Sequence, residues 1–264
     1  MGERMKAIVL SWDRHRVVTQ HMIRQYARLW PDHPFRFRIP FQTLATADNE
    51  REQYIQTPPD IPGTVLQLMH DLEDEEWIYW CADDKYPIQL VTQKFTTLFN
   101  YVREQPDISG LLCCRCRVTL EKPELSLLPG KRATPDGDVL LERRKWYQIW
   151  IHQFLRVKVL RYFFTHMSKD IPNAKVMDEL KNDIPKPGEL RLFVTEQNYA
   201  VFGESTQRGV LTRNCYQSIR QTGLTLPEWL SRPNDNDVTM GDLSDAAPSR
   251  WSKLGKVFSR ASLG

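Results

Sequence analysis

The adjacent carboxylates Asp83 and Asp84 are the residues of this sequence best suited to chemistry. They follow residues 77–81, an apolar run that predicts a buried strand, with only Ala82 between. Two neighbouring carboxylates repel each other and lose hydration there, so a cation is needed to relieve them. Divalent ions such as Mg²⁺ bind one or two carboxylates together with phosphate oxygens. The pair therefore predicts a site for Mn²⁺ or Mg²⁺. Lys85 would be a second contact for the phosphate, beside the metal ion. The alternative is that the two aspartates form a solvated acidic turn.

A second polar group, Ser11, Asp13 and Arg14, follows the apolar run at residues 7–10. The carboxylate of Asp13 can accept hydrogen bonds from a ligand. We expect the planar fork of Arg14 to meet a phosphate. A polar turn that caps the next helix explains the same residues equally well.

Apolar periodicity predicts the elements that position these groups. Strands are expected at residues 7–10, 35–41, 77–81, 110–118, 190–194 and 199–202, helices at 17–29, 64–72, 88–102, 146–164, 173–181 and 211–222, and loops at 46–62 and 129–138. This alternation favours an α/β fold with a mainly parallel sheet flanked by helices. Ligands of such sheets bind beyond the carboxyl ends of the strands, where both polar groups fall.

The segment Cys81-Ala82-Asp83-Asp84-Lys85-Tyr86 resembles the metal-binding segment of GT-A glycosyltransferases of the bacterial surface-polysaccharide, family 2-like type. A strict Asp-x-Asp would need an acidic residue at position 82, where this chain has alanine. Residues 147–155 and 174–180 are similar to the acceptor-side segments of the same enzymes, and residues 198–213 resemble their C-terminal strand and the start of the helix that follows it. The resemblance implies a Rossmann-like GT-A fold and transfer of a sugar from a nucleotide-sugar donor. It also places Ser11, Asp13 and Arg14 where such enzymes contact the nucleotide, so Asp13 is expected to accept hydrogen bonds from the ribose or the base.

The resemblance also implies roles on the acceptor side. Gln148, Trp150 and His152 become candidate acceptor-binding residues, although Trp150 and His152 also suit a buried core. Glu179, or its neighbour Asp178, becomes the base that an inverting transfer needs to deprotonate the acceptor hydroxyl. Solvated charges on a short helix are the alternative for these two acids.

The resemblance implies two substrates. One is a nucleotide-sugar donor, with a UDP-sugar as the default, and the other is a glycan or lipid-linked acceptor. A sugar nucleotidyltransferase is an alternative, but it usually has a Gly-rich basic loop after its first strand, and residues 11–16 contain no glycine. A non-catalytic GT-A-like nucleotide-binding protein is another alternative. A nucleic-acid partner is not expected, because the net charge is only +3 and the globular part has no dense basic stripe interleaved with aromatic residues.

The composition predicts one main domain and a tail. Residues 1–230 are expected to form the GT-A domain, with a nucleotide-sugar half at about 1–105 and an acceptor half at about 106–230. Residues 231–249 are polar and predict a flexible linker. Residues 250–264 predict a basic amphipathic helix that binds an anionic membrane surface, a partner or its own domain.

Five cysteines in a long chain, and no apolar run of about 18 residues, favour a cytoplasmic protein with reduced thiols. Peripheral attachment to the inner membrane face through the tail is an extension of the same prediction.

Overall fold

Strands and helices alternate along the chain in a computed structural model, which describes residues 4–171, 174–207, 209–230, 233–237 and 239–240. The strands are β1 (Met5–Leu10), β2 (Phe35–Phe41), β3 (Glu52–Gln56), β4 (Trp77–Ala82), β5 (Lys85–Leu90), β6 (Gly110–Leu112), β7 (Arg132–Ala133), β8 (Val139–Glu142), β9 (Gln153–Arg156), β10 (Leu192–Thr195), β11 (Ala200–Glu204), β12 (Thr206–Gln207), β13 (Val210–Leu211) and β14 (Thr239–Met240). The helices are α1 (Arg16–Leu29), α2 (Ile61–Leu68), α3 (Thr92–Arg103), α4 (Arg117–Glu121), α5 (Pro123–Ser126), α6 (Val157–Thr165), α7 (Ala174–Leu180) and α8 (Arg213–Gln221).

The main sheet has nine strands in the order β3-β2-β1-β4-β9-β6-β10-β8-β7. Strands β1, β2, β3 and β4 are parallel neighbours, and β6 is parallel to β10. Strands β8 and β9 run antiparallel to their neighbours, so the other seven strands share one direction. The predicted α/β class with a mainly parallel sheet is confirmed.

Helices cover both faces of this sheet, which explains why its central strands are apolar without interruption. In β1, Ala7 and Val9 face a core cluster that includes side chains of α1 and α3. Ile8 points to the opposite face and packs in a second cluster with side chains of α2 and α6. Because successive side chains of a strand alternate between faces, each layer receives every second residue.

The prediction of one long helix over residues 146–164 is wrong. Residues 146–152 form turns, β9 follows, and α6 begins only at Val157. The apolar spacing that suggested a helix has two other causes, core packing and strand pairing. Trp146 and Ile149 fill the core beside α6, and β9 pairs with β4 and β6 in the middle of the sheet. Long-range strand pairing therefore overrides the local pattern.

Three other expectations about elements are corrected. The loop expected at 46–62 contains β3, which pairs with β2. The helix expected at 88–102 begins at Thr92, because the preceding residues form β5 in a second, three-stranded sheet of order β14-β11-β5. The strand expected at 110–118 ends at Leu112, and α4 follows it.

Part of the expected linker packs on the domain. Strand β14 pairs with Phe202 and Gly203 of β11, and the amide of Asn234 donates to the carbonyl of Leu211 at 2.8 Å. The segment at 250–264 lies outside the described residues, so its helix and its membrane role stay predictions. Within the described part of the chain, each helix is too short or too polar to cross a membrane.

Candidate active site

The two polar groups predicted from the sequence meet at the carboxyl edge of β1 and β4. These strands are parallel with Leu10 opposite Ala82, so the next residues of both strands emerge side by side. The Ser11 hydroxyl donates to Oδ2 of Asp83 at 2.7 Å, and the Asp83 amide donates to the Leu10 carbonyl at 3.0 Å. The edge that the fold class predicts for ligands is therefore where Ser11 and Asp83 lie.

Asp83 faces inward and is 7% exposed. Besides the Ser11 hydroxyl, its Oδ2 lies 3.4 Å from Nδ1 of His15. Ser11 in turn lies 2.6 Å from the hydroxyl of Thr19 in α1. Buried carboxylates are stable when such partners satisfy them, so Asp83 ties the loop after β1 to the end of β4.

Asp84 faces outward and retains unused bonding capacity. Its side chain is 47% exposed, and its Oδ2 accepts a hydrogen bond from Nζ of Lys85 at 2.8 Å. Its Oδ1 is buried and has no hydrogen-bond partner in the structure. A buried acceptor without a partner costs free energy, which a bound cation would recover. Asp84 is thus the carboxylate of the pair that fits a divalent ion.

A third carboxylate, Glu204, belongs to the same corner of the site. It stands opposite Lys85 in the pairing of β11 with β5. Burial raises the pKa of Glu204, with Lys85 opposing the rise and Asp84 adding to it. Burial alone would lower the pKa of Lys85, but Asp84 and Glu204 outweigh it and the pKa is raised. Lys85 therefore stays cationic between two acids, although its side chain is 9% exposed.

Sequence reasoning missed Glu204 because it placed the residues of β5 partly in a turn and partly in a helix. Once β5 is recognised as a strand, the antiparallel partner that faces it can be sought, and Glu204 ends the strand that fulfils this role. Among the residues that the structure describes, Asp83, Asp84 and Glu204 do not converge into a set of three metal ligands. A bound ion would accordingly take most of its ligands from phosphate and water oxygens.

Asp13 is bound by the backbone of the loop that follows β2. Its Oδ2 accepts hydrogen bonds from the amides of Gln42, Thr43 and Leu44 at 3.2, 2.7 and 3.0 Å. Burial raises the pKa of Asp13, but these bonds outweigh burial and lower it. The carboxylate thereby fixes the loop after β2, and its contact with a ribose or base stays a prediction.

Arg14 stands at the mouth of the site among aromatic rings. Its guanidinium lies 4.3 Å from the ring centre of Trp229 and 6.0 Å from that of Trp12. The ring of His15 packs nearly parallel to Trp229, 5.9 Å between centres. The cation is held by these rings at the same edge as Asp83, where it can meet an anionic group.

The three candidate acceptor residues lie close together in the chain but in different settings. Gln148 has a positive φ of 63°, and its Nε2 donates to the Thr119 hydroxyl at 3.2 Å. Its Oε1 is buried with no partner in the structure. Positive φ is uncommon outside glycine and is often found at functional sites. Trp150 packs on Phe163 and Phe164, as a core residue does.

His152 is a buried residue that holds the end of β4, directly before the two aspartates. It is 1% exposed, with Nε2 at 2.9 Å from the Ala82 carbonyl and Nδ1 at 2.7 Å from the Tyr26 hydroxyl. Burial lowers the pKa of His152 to about 4, so the ring is neutral at pH 7. Both nitrogens are engaged inside the protein, so an acceptor contact by His152 stays a prediction that this geometry does not favour.

Asp178 and Glu179 project from α7, away from the core that holds Met177. Asp178 accepts from Lys181, and Glu179 lies 3.6 Å from Lys175. Their side chains are 54% and 59% exposed. The exposed positions leave both carboxylates accessible to a ligand, and their role as the base stays a prediction.

No protein-family model matches the sequence, and no curated protein matches it significantly. Among solved structures, the chain is similar to galactosyltransferase LgtC in complex with donor and acceptor sugar analogues. The identity is 11%, the match covers 92% of this chain and 88% of that one, and the TM-score is 0.40. It is also similar to CMP:2-keto-3-deoxy-manno-octonic acid synthetase complexed with CTP, at 13% identity, 84% and 98% coverage and a TM-score of 0.44.

A third similar structure is UDP-glucose pyrophosphorylase complexed with UDP-glucose. The identity is 8%, the match covers 72% of this chain and 89% of that one, and the TM-score is 0.43. With identities and TM-scores this low, the reaction has to be argued from the residues of the site itself.

Proposed function

We propose that this protein is a metal-dependent, inverting glycosyltransferase that moves a sugar from a nucleotide-sugar donor to a hydroxyl acceptor in glycan or surface-polysaccharide synthesis. The observation that carries the proposal is the outward carboxylate of Asp84, with a buried oxygen that lacks a partner. It stands beside a buried Lys85 at the carboxyl edge of the sheet. A diphosphate and its metal ion need this combination of an anionic ligand and a cation.

Each residue of the edge has a task in this proposal. Asp84 binds Mg²⁺ or Mn²⁺, and the ion neutralises negative charge on the leaving nucleoside diphosphate. Lys85 and Arg14 bind phosphate oxygens from two sides. Asp83 and Ser11 keep the two strand ends in register by their mutual hydrogen bond.

The acceptor side of the proposal uses Gln148 and one acid of α7. The buried Oε1 of Gln148 accepts a hydrogen bond from an acceptor hydroxyl, which would satisfy that atom. Glu179, or its neighbour Asp178, takes the proton from the attacking hydroxyl, as an inverting transfer requires. A base must come within hydrogen-bond reach of that proton, so α7 has to face the acceptor when both substrates are bound.

Calorimetric titration tests the donor site directly. The purified protein is titrated with UDP, GDP, CMP and UTP, each with and without Mn²⁺, beside the variants Asp84→Asn and Asp32→Asn. Asp32 is an exposed acid in the turn between α1 and β2 and serves as the matched control. We expect one diphosphate, UDP by default, to bind only with Mn²⁺, and Asp84→Asn to weaken it at least tenfold while Asp32→Asn leaves it unchanged.

Two results would contradict the proposal. Metal-independent binding that Asp84→Asn does not weaken would remove the role of this carboxylate. Stronger binding of UTP than of UDP, with release of pyrophosphate when a sugar phosphate is added, would assign the site to a nucleotidyltransferase.

A further inference from the structure

Two tryptophans at the mouth of the site are exposed, which is unusual for side chains of this size. Trp12 is 47% exposed and Trp229 is 39% exposed. Within the described ranges, all other Trp, Tyr and Phe side chains are buried or partly buried. Tryptophan removes more apolar surface from water on burial than most side chains, so an exposed pair marks a surface that gains from a ligand.

The two rings belong to one cluster although they are far apart in the sequence. The ring of His15 lies 5.2 Å from Trp12, edge-on, and 5.9 Å from Trp229, nearly parallel. Arg14 contacts both indoles. We call Trp12, Trp229 and the intervening Arg14 and His15 the tryptophan platform.

The chain holds the platform in place from both ends. Trp12 precedes the 3-10 turn that carries Asp13, and the Asp13 carboxylate is fixed by the backbone of the loop after β2. Trp229 precedes Leu230, which is 1% exposed and packs in the main core cluster. Both indoles are therefore attached to ordered backbone, which lowers the entropy cost of binding a ligand on them.

The platform is continuous with the candidate active site, because His15 also lies 3.4 Å from the Asp83 carboxylate. A ligand lying on the indoles would extend outward from the place where the transfer occurs. We propose that the tryptophan platform binds sugar rings of the acceptor, which makes the acceptor an oligosaccharide chain of two or more rings. This inference rests on the proposed function, since it names the substrate of the same site.

The chemistry of the platform fits a sugar chain. A pyranose has an apolar face of C–H groups that stacks on an indole, and hydroxyls at its edge that bind a polar side chain such as His15. Two exposed indoles offer more stacking surface than a single nucleobase covers, whereas a chain of two or more sugar rings can cover both. The Oδ2 atom of Asp13 already accepts hydrogen bonds from three backbone amides, so this carboxylate is less available to the polar edge of a base.

The test uses an array of defined glycans probed with the fluorescently labelled full chain, followed by calorimetry with the best-bound free oligosaccharide. The variants are Trp12→Ala, Trp229→Ala, their combination, and Leu125→Ala as an exposed apolar control on α5. We expect binding of at least one glycan with two or more rings. The double variant should weaken it about tenfold or more, consistent with the loss of two stacking contacts. Leu125→Ala should leave it unchanged.

Further variants separate the inference from the proposed function and from misfolding. Asp84→Asn should bind the oligosaccharide as the wild type does while losing Mn²⁺-dependent UDP binding. Trp12→Phe and Trp229→Phe keep an aromatic face and should retain most of the glycan affinity, which folding damage alone would not explain.

Three results would overturn the inference. The wild type binds no glycan on the array, or the double variant binds as tightly as the wild type, or free uridine or guanosine binds in a way that requires both indoles. The first two results, with Mn²⁺-dependent UDP binding intact, would leave the proposed function standing without this acceptor surface.

Discussion

His152 provides a prediction in which the magnitude follows from the structure. Its Nε2 faces the Ala82 carbonyl, which can only accept, so Nε2 carries the proton of the neutral ring. Nδ1 is then an acceptor, and the Tyr26 hydroxyl at 2.7 Å donates to it. Tyr26 can therefore accept from the Tyr79 hydroxyl at 3.0 Å. The buried network is satisfied only while the imidazole is neutral.

Acidification should destabilise the fold through this residue. The pKa of His152 is about 4 in the folded protein, against 6.5 for a free imidazole. A histidine with a lowered folded pKa contributes stability that is fully present above pH 6.5 and is lost as the pH falls toward 4. Integration from pH 7 to pH 5 gives a loss of about 2 kcal/mol in the free energy of unfolding for this one group.

The measurement is urea unfolding at pH 7, 6 and 5, followed by tryptophan fluorescence, for the wild type and His152→Gln. Buried His21 and His33 have lowered pKa values too, so the wild type will lose more than 2 kcal/mol in total. The informative quantity is the difference in pH dependence between the two proteins. If His152→Gln loses as much stability between pH 7 and pH 5 as the wild type does, the reasoning from His152 is refuted.

Two further predictions concern the backbone near the site. Gly203→Ala should lower the free energy of unfolding by about 1–3 kcal/mol, because the added Cβ would lie 2.7 Å from the buried ring of Tyr86. Gly188 lies in open space, so the control variant Gly188→Ala should change the free energy of unfolding by less than about 0.5 kcal/mol. Gln148→Gly should be more stable than Gln148→Ala by about 1 kcal/mol, because only glycine adopts the positive φ of this residue without crowding. Chemical denaturation measures both differences; equal stability of the two glycine variants, or a Gln148→Ala protein more stable than Gln148→Gly, would contradict them.

The sequence predicted β1, β2, β4 and α1, because the local pattern and the tertiary structure agree in these elements. Strand β2 has the expected boundaries, and α1 begins one residue before its expected start. The run before Asp83 is fully apolar because helices cover both faces of β4, so its position and its end were visible in the sequence.

Other elements were harder to predict because they are defined by distant partners. Strand β9 has only four residues. It pairs with β4, so that Arg156 lies opposite Trp77, a residue far away in the sequence. Strand β5 follows the aspartates directly and is stabilised by β11, more than a hundred residues later. No local pattern carries such information, and Glu204 was missed for the same reason.

At the site, residue types predicted the location better than the roles. Asp84 and Lys85 lie where the sequence placed them, and Ser11 meets Asp83. The role of each carboxylate depends on whether its oxygens face the interior, as in Asp83, or the outside, as in Asp84. Only the three-dimensional structure reveals this difference. The platform residue Trp229 has no neighbour in sequence that suggests its position beside Trp12.

The order of strands in the sheet also has a consequence for the newly made chain as it leaves the ribosome. Strands β1 to β4 can pair with one another as soon as residue 82 has emerged, because their neighbours are all early in the sequence. Strand β6 has to wait, since both of its neighbours, β9 and β10, are made later. During that interval the β4 edge and the apolar residues of β6 lack their partners, and this is the stage of synthesis at which association with other chains or capture by a chaperone is most favoured.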